Sequence, residues 1–262
     1  MEYKFIKYSI EDSIKLLRLN RPEVLNSFNR EMAHELLKAL ELAKDNENIR
    51  AIMITGEGRA FSSGQDLKEI SDHTGKLLDP GLVVKEVYNP LIKMIRCIDK
   101  PVVCAVNGIA AGAGANIALA CDFVIASSSA SFIQSFINVG LLPDSGGTFF
   151  LPRLAGLHRA AALMMLGEKI TCYEAFDMGL IYKVVEPEVL IKEATALSKK
   201  LAEMPTKSLG FIKRALNRSF SSDLDSQLEL EAHFQQLAGT TGDYTEGVRA
   251  FLEKRKARFS GS

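Results

Sequence analysis

The sequence predicts an α/β fold in which short buried strands alternate with helices. Apolar runs of strand length lie at residues 51–55, 102–106 and 122–126, and a helical pattern separates each from the next. The chain has 262 residues, of which 47% are apolar, enough to bury one sizeable core. From residue 146 onward the pattern turns mainly helical.

The first third of the chain predicts a hairpin, a helix and a strand in that order. Residues 3–19 read as two short strands around the polar turn at residues 11–13. Asn29 caps a helix to about residue 44, because short polar side chains satisfy the first helical N–H groups. Its apolar residues share one face, which we expect to be buried: Met32, Ala33, Leu36, Leu37 and Leu40. The strand at residues 51–55 ends at Gly56.

The middle of the chain predicts two more strands with loops between them. We expect a loop at residues 56–66, and a polar, irregular and mobile segment at residues 71–81. A helix from about residue 82 to residue 98 ends before Pro101, because the residue preceding a proline disfavours helical geometry. A glycine-alanine loop at residues 107–114 opens an apolar helix that ends near Cys121.

The C-terminal part predicts helices. Thr171 and Glu174 have the spacing of a capping box, in which each side chain satisfies the other's backbone N–H. Residues 205–259 read as three helices without a strand. We therefore divide the chain into a core of residues 1–200 and a helical region of residues 201–262.

Charge and composition disfavour several classes of function. Lys plus Arg and Asp plus Glu both number 32, so the basic excess typical of nucleic-acid or membrane-surface proteins is absent. The apolar stretch at residues 109–121 is shorter than the ~18 residues of a membrane span, and the N-terminus has no signal-peptide core. We expect a cytoplasmic protein without nucleic-acid or membrane partners.

The cysteines and histidines lack metal-ligand spacing, so we expect buried reduced thiols and no metal site. These residues are Cys97, Cys104, Cys121, Cys172, His34, His73, His158 and His233.

Three loops, at residues 61–67, 107–114 and 142–148, contain the residue types that build a site. Each is predicted to follow a buried strand, and such loops carry sites in α/β folds. Glycines let the backbone approach a ligand, and the first N–H groups of a helix point outward. Two of these loops together could hold one oxygen between two N–H donors. The third places the carboxylate of Asp144 beside glycines.

Each loop also has a structural interpretation. Gly112 and Gly114 can serve close helix packing, and Asp144 can cap the helix that follows it. A phosphate cradle is disfavoured because neither GxGxxG nor GxxxxGK[ST] occurs. The segment Asp-Ser-Gly-Gly is similar to a serine-protease nucleophile loop, but Pro143 replaces the expected glycine, and Ser145 lacks a candidate base.

Together with flanking motifs, the three loops resemble the crotonase (enoyl-CoA hydratase/isomerase) family. The flanking motifs are Arg21-Pro22 with Leu25-Asn26, Lys100-Pro101 with Val106-Asn107-Gly108, Cys121-Asp122, residues 175–180 and residues 250–255. The resemblance spans nearly the whole chain. It implies a crotonase-like spiral of β-β-α turns with a C-terminal helical trimerisation region, and assembly as a homotrimer or a dimer of trimers.

The resemblance also implies an oxyanion hole. Gln65 and Ala113 match the positions whose backbone N–H groups bind the thioester carbonyl oxygen. Gly64 and Gly114 match the residues that shape the two loops. Such donors stabilise the negative charge that develops on the oxygen when an adjacent C–H loses its proton.

The implied partner is an acyl-CoA thioester. Phe251 and Lys254 match positions that contact the coenzyme A nucleotide from a neighbouring subunit. Coenzyme A is then part of the substrate, so no separate cofactor is expected.

Two positions depart from the hydratase pattern of the family. A hydratase uses two glutamates, and Asn116 and Phe136 match those positions here. Neither can act as a general base, so both are retained only as candidate substrate contacts. A purely structural role for Asn116, satisfied by backbone groups, stays open. Asp144 matches the single carboxylate of the isomerase branches, and burial would raise its proton affinity.

We therefore predict an acyl-CoA isomerase that transfers a proton through Asp144. Residues 142–148, 151–156, 227–231 and 243–247 resemble the ring-1,2-epoxyphenylacetyl-CoA isomerases, and enoyl-CoA isomerisation is the other isomerase reading. An enoyl-CoA hydratase is the alternative if Glu69 or Asp72 enters the pocket. A family member that binds RNA, or one that binds coenzyme A without turnover, is an alternative of another class.

Overall fold

The computed structural model describes residues 3–69 and 77–262, whose strands form two sheets. The strands are β1 (Ile6–Glu11), β2 (Ile14–Leu19), β3 (Ala51–Gly56), β4 (Ala60–Ser62), β5 (Val102–Val106), β6 (Ile109–Ala111), β7 (Phe123–Ser127), β8 (Ser131–Ile133), β9 (Lys169–Thr171) and β10 (Lys183–Val185). The larger sheet has the order β1-β2-β3-β5-β7-β10 and the smaller the order β4-β6-β8-β9. Neighbouring strands are parallel except β1 with β2 and β8 with β9.

Helices surround and connect the sheets. They are α1 (Arg30–Asp45), α2 (Pro80–Val83), α3 (Asn89–Cys97), α4 (Ala113–Leu119), α5 (Gly147–Ala155), α6 (Leu157–Leu166), α7 (Cys172–Asp177), α8 (Leu190–Ala202), α9 (Thr206–Ser219), α10 (Leu224–Gly239) and α11 (Gly242–Leu252). A π-helical segment, Val84–Tyr88, joins α2 to α3. Among the described residues, no helix is long and apolar enough to cross a membrane.

Successive turns of the chain give one strand to each sheet, which makes the fold a spiral. The pairs β3/β4, β5/β6 and β7/β8 all follow this rule. Strand β3 is buried on both faces: Ile52 and Ile54 belong to one apolar cluster, and Ala51 and Met53 to the other, against which α8 packs. Parallel strands covered on both sides have continuous apolar sequences, and this explains the run that predicted β3. The α/β prediction is confirmed.

Several local predictions are also confirmed. Strands β1 and β2 form an antiparallel hairpin around Asp12 and Ser13, both in the left-handed region. The Asn29 side chain caps α1 by accepting a hydrogen bond from the Met32 N–H at 2.8 Å. Thr171 and Glu174 form the predicted capping box at the start of α7.

Other predictions are wrong in detail. The predicted loops at residues 56–66 and 107–114 contain the strands β4 and β6, and the third loop follows a 3₁₀ segment, Ser135–Val139, in place of a strand. Strands of three residues are too short to show a period of two. The helix predicted from about residue 82 begins at Pro80 and contains the π-helical segment. Residues 70–76, including most of the segment predicted to be mobile, lie outside the described residues.

The cysteines differ from expectation at one position. All four are free thiols, and those at positions 104, 121 and 172 are buried as expected. Cys97, at the end of α3, is exposed, so the prediction of a buried thiol is wrong there. The helical periodicity of α3 places Cys97 on the solvent-facing side of the helix. Several residues near it in the sequence are apolar, which suggested burial.

The C-terminal region consists of the three predicted helices, α9 to α11. Helix α10 has no buried residue, and its side chain Phe234 stacks on Phe211 of α9 at 5.2 Å. The chain end is held by Arg50, which donates hydrogen bonds to the Phe259 carbonyl and the Thr206 hydroxyl at 2.6 and 3.0 Å. The division at residue 200 stays a prediction, and α8 continues two residues past it, to Ala202.

Candidate functional site

The first two predicted loops are in direct contact at Gly64. A Cβ atom on Gly64 would lie 2.9 Å from the Ala111 carbonyl oxygen and 3.6 Å from the Ala113 nitrogen. Gly64 also has a φ of +93°, which side-chain-bearing residues rarely adopt. Only glycine therefore lets the backbones of these two loops approach each other this closely.

The second loop turns into α4 beside the first loop. Ala113 is the first residue of α4, and a Cβ atom on the next residue, Gly114, would lie 2.6 Å from Cβ of Ser62 in β4. The first N–H groups of a helix have no acceptor within the helix. Within residues 3–69 and 77–262, neither the Gln65 N–H nor the Ala113 N–H donates to a protein acceptor. Two adjacent loops thus present backbone donors that a ligand oxygen can use.

A buried asparagine holds the first of these loops. The Asn26 side chain accepts from the Arg21 N–H at 2.8 Å and donates to the Ala60 carbonyl at 2.8 Å, while its backbone carbonyl accepts from the Ser62 hydroxyl at 2.8 Å. Arg21 also pairs with the buried carboxylate of Asp66 at 2.8 Å. The early sequence motif that contains Arg21 and Asn26 therefore fixes the loop around Gln65.

Asp144 is half-buried and does not cap the following helix. Helix α5 begins at Gly147, and its N-cap residue Gly146 provides no side-chain cap. The Asp144 carboxylate accepts a hydrogen bond from the Ser145 hydroxyl at 2.7 Å. Burial raises the pKa of the Asp144 carboxyl, and the Ser145 hydrogen bond partly offsets this by favouring the charged form. The carboxyl is thus held where proton uptake is easier than for an exposed aspartate.

Asn116 links α4 to the Asp144 loop. Its side chain is fully buried and donates from Nδ2 to the Asp144 carbonyl at 2.8 Å. Its Oδ1 accepts from Nε2 of Gln134 at 2.9 Å. The sequence did not point to Gln134, because no spacing rule connects it with Asn116. The amide of Asn116 is satisfied by protein groups, so a substrate contact by this residue stays only a prediction.

Phe136 lies beside the loop at residues 107–114. Its ring atom Cζ would be 3.8 Å from a Cβ atom on Gly112, the residue that precedes Ala113. The Phe136 side chain is buried. An apolar ring therefore occupies a position beside the N-terminus of α4.

Tyr88 is a further residue that sequence reasoning missed. It lies in the π-helical segment, is 2% exposed, and its ring contacts the Phe28 ring edge-on at 6.5 Å between centroids. Burial raises the pKa of the Tyr88 phenol, and so does the nearby charge of Asp144. Helical periodicity indicates burial at this position but not proximity to Asp144.

The remaining predicted residues take no part in the contacts described above. The Glu69 carboxylate accepts from the Arg30 N–H at 2.9 Å, at the start of α1, and Asp72 lies outside the described residues. Phe251, in the last turn of α11, is 82% exposed, and Lys254 follows the helix with a φ of +54°. Across residues 3–69 and 77–262, no cluster of three His, Cys, Asp or Glu side chains has metal-binding geometry.

Comparisons with known proteins identify the family and the fold. The sequence model of the enoyl-CoA hydratase/isomerase family matches residues 9–262. The 1,2-epoxyphenylacetyl-CoA isomerase of Escherichia coli (strain K12) is 47% identical, and the match covers 98% of this chain and 99% of that protein. A "probable enoyl-CoA hydratase" of Rhodobacter capsulatus is 44% identical, with 100% of each chain covered. The crystal structure of an enoyl-CoA hydratase from Polaromonas sp. JS666 superposes with a TM-score of 0.90, at 35% identity, over 97% of this chain and 99% of that chain.

Proposed function

The chain belongs to the enoyl-CoA hydratase/isomerase family, and we propose that it isomerises an acyl-CoA thioester by transferring a proton through the single carboxylate of Asp144. The observation that carries the proposal is which side chains stand at three positions, 116, 136 and 144. By the family resemblance, Asn116 and Phe136 match the positions of the two hydratase glutamates and carry no carboxylate, whereas Asp144 supplies a carboxyl whose pKa is raised by burial. One carboxylate is sufficient to move a proton between two carbons.

In the proposed reaction, the backbone N–H groups of Gln65 and Ala113 hold the thioester carbonyl oxygen. When a C–H bond of the acyl chain breaks, its electron pair moves toward the thioester, and the carbonyl oxygen becomes negatively charged. Each preorganised donor of this kind typically stabilises the transition state by about 3 kcal/mol. The glycines at 64 and 114 let the two loops come close enough to share one oxygen.

Asp144 acts twice in this scheme. As a carboxylate it accepts the proton from one carbon, and as a carboxylic acid it returns a proton to another carbon. The double bond shifts, while substrate and product have the same composition. A pKa above the ordinary aspartate range suits both steps, because the group must accept and release the same proton.

The similarity to the Escherichia coli protein supports an aromatic ring epoxide of phenylacetyl-CoA as one substrate, and with it a role in phenylacetate breakdown. A 3-enoyl-CoA, isomerised to the 2-enoyl-CoA, is the second substrate class. Coenzyme A enters as part of the thioester, so the proposed reaction requires no separate cofactor.

The coenzyme A nucleotide is proposed to lie between subunits of a trimer or a dimer of trimers. Phe251 and Lys254 are the candidate contacts. The large exposure of Phe251 on the single chain supports this, since an apolar ring at the surface is available to a neighbour.

Hydration of a 2-enoyl-CoA is the second candidate function, favoured by the similarity to the Rhodobacter capsulatus protein. It needs a carboxylate that activates water. Glu69 is engaged with the N-terminus of α1, which argues against it in this role.

The test compares wild type with Asp144→Asn on a 3-enoyl-CoA and, separately, on a 2-enoyl-CoA. We expect wild type to convert the 3-enoyl-CoA without hydrating the 2-enoyl-CoA, and the variant to lose at least ~10²-fold in kcat, the usual contribution of a general acid/base. Asp225→Asn, which removes an exposed carboxylate on α10, serves as the charge-matched control. The phenylacetyl-CoA epoxide is tested next on the same three proteins.

Other outcomes of this test would contradict the proposal. Hydration of the 2-enoyl-CoA by both wild type and Asp144→Asn would mean that another carboxylate performs the chemistry. Tight binding of several acyl-CoA thioesters without any turnover would indicate a binding protein. RNA binding that weakens steeply with added salt would indicate the RNA-binding alternative.

A further inference from the structure

Three consecutive hydrogen-bonding groups connect β8, α4 and the Asp144 loop. Gln134, directly after β8, donates from Nε2 to Oδ1 of Asn116 at 2.9 Å, and Asn116 donates from Nδ2 to the Asp144 carbonyl at 2.8 Å. Gln134 is 4% exposed and Asn116 is fully buried. Because water hardly reaches either amide, these two hydrogen bonds do not compete with solvent.

The orientation of the Asn116 amide is determined by its two neighbours. A side-chain amide has one accepting and one donating end. If the Asn116 amide were turned over, its NH₂ group would face the Gln134 NH₂ group, and its oxygen would face the Asp144 carbonyl oxygen. Both contacts would be repulsive, so the Gln134 donor and the Asp144 carbonyl together select the observed orientation of the Asn116 amide.

Gln134 has a feature that stability alone does not explain. Its Oε1 atom is buried and has no hydrogen-bond partner among the residues that the structure describes. A buried acceptor without a donor is destabilising and is rare in folded proteins. A side chain retained in such a position points to a role in positioning.

Asn116 lies on the same helix, α4, as the proposed oxyanion donor. Asn116 lies three residues after Ala113, so the oxyanion donor and the Asn116 amide belong to the same fully buried helix. On the other side, a Cβ atom on Gly147 would lie 2.4 Å from Nδ2 of Asn116, so the start of α5 packs directly against the amide. The amide is therefore confined between α4, α5 and Gln134.

We propose that Gln134 is a positioning residue: acting through Asn116, it fixes the backbone of Asp144 at a set distance from the oxyanion donors at the start of α4. The inference rests on the proposed role of Asp144 as acid/base. In the isomerisation, the thioester oxygen and the carbon that loses its proton have a fixed separation. The donor–carboxylate separation must match it, and misplacement by about 1 Å can cost ~10²-fold in rate.

The test uses Gln134→Met, which keeps the length of the side chain and removes its donor. With 3-hexenoyl-CoA as substrate, we expect kcat to fall by about 10- to 100-fold. We expect KM to stay within about twofold of wild type, because the thioester is bound by backbone groups that the substitution does not touch. Gln236→Leu, on the exposed face of α10, is the matched control and should leave both constants unchanged.

Two further variants distinguish positioning from general destabilisation. Gln134→Glu keeps the length of the side chain, but its carboxylate cannot donate to Asn116, so we expect the same fall in kcat at neutral pH. In an Asn116→Ala background, Gln134→Met should cause no further loss, because both residues act through one contact. Thermal unfolding of each variant reports whether the protein is folded at the assay temperature.

A wild-type kcat in both Gln134 variants would overturn the inference, and so would independent, multiplying losses in the double variant. Its failure is distinguishable from failure of the proposed function. If Asp144→Asn abolishes isomerisation while the Gln134 variants retain the wild-type kcat, only the positioning role is wrong. If Asp144→Asn isomerises normally, the proposed function itself is wrong.

Discussion

The two sides of the candidate site are built in different ways. The proposed oxyanion side consists of backbone groups at Gln65 and Ala113, on loops that pack so closely that an added Cβ on Gly64 or Gly114 would lie 2.9 or 2.6 Å from the facing segment. The proposed acid/base side consists of one side chain, that of Asp144, whose backbone carbonyl is held by side-chain amides. A substitution on the first side moves the backbone N–H donors. A substitution on the second side changes the group that is proposed to transfer the proton.

The largest effect is expected from breaking the oxyanion side with Gly114→Ala. Its Cβ atom would lie 2.6 Å from Cβ and 2.8 Å from the backbone carbonyl oxygen of Ser62, distances that no side chain can occupy unless the backbone shifts. The start of α4 must move, so we expect kcat/KM to fall by about 10²- to 10³-fold, the typical cost of one lost oxyanion donor. Steady-state kinetics on folded protein measures this effect.

The matched control for that variant is Gly239→Ala at the end of α10. Among the residues that the structure describes, no heavy atom outside its own helical turn and chain neighbours lies within 4 Å of its added Cβ. This control should retain full activity. Full activity in Gly114→Ala would show that the close contact with β4 does not set the oxyanion geometry.

A smaller effect is expected on the acid/base side from Ser145→Ala. Ser145 donates to the Asp144 carboxylate, a hydrogen bond that favours the charged form and lowers the pKa. Its removal leaves burial as the dominant influence and raises the Asp144 pKa further. The base must be deprotonated to accept a proton, so the acid limb of the kcat/KM profile should move to higher pH. An acid limb that stays in place, or moves to lower pH, would contradict this assignment.

The fold was predictable where the local pattern is long enough. The runs that became β3, β5 and β7 are buried on both faces, and the caps at Asn29 and Thr171 follow from side-chain chemistry. The smaller sheet was missed because its strands have three residues each, and their pairing depends on contacts between distant segments.

The candidate site was predictable as a set of motifs but not as a geometry. The resemblance pointed to Gly64, Ala113 and Asp144, and in the structure a Cβ atom added to Gly64 would lie 3.6 Å from the Ala113 nitrogen. Gln134 carried no signal because its partner lies 18 residues away, on another element. Tyr88 was missed because helical periodicity indicates that a residue is buried but does not show that the charge of Asp144 lies near it.

The most direct measurement for the central claim is proton exchange on the bound acyl group. Wild type and Asp144→Asn are incubated in D₂O with the acyl-CoA that wild type isomerises, and mass spectrometry follows deuterium incorporation into substrate and product. If Asp144 is the group that accepts and returns the proton, wild type incorporates deuterium and the variant incorporates it at least ~10²-fold more slowly, while still binding the thioester. Exchange at the wild-type rate in Asp144→Asn would contradict the account.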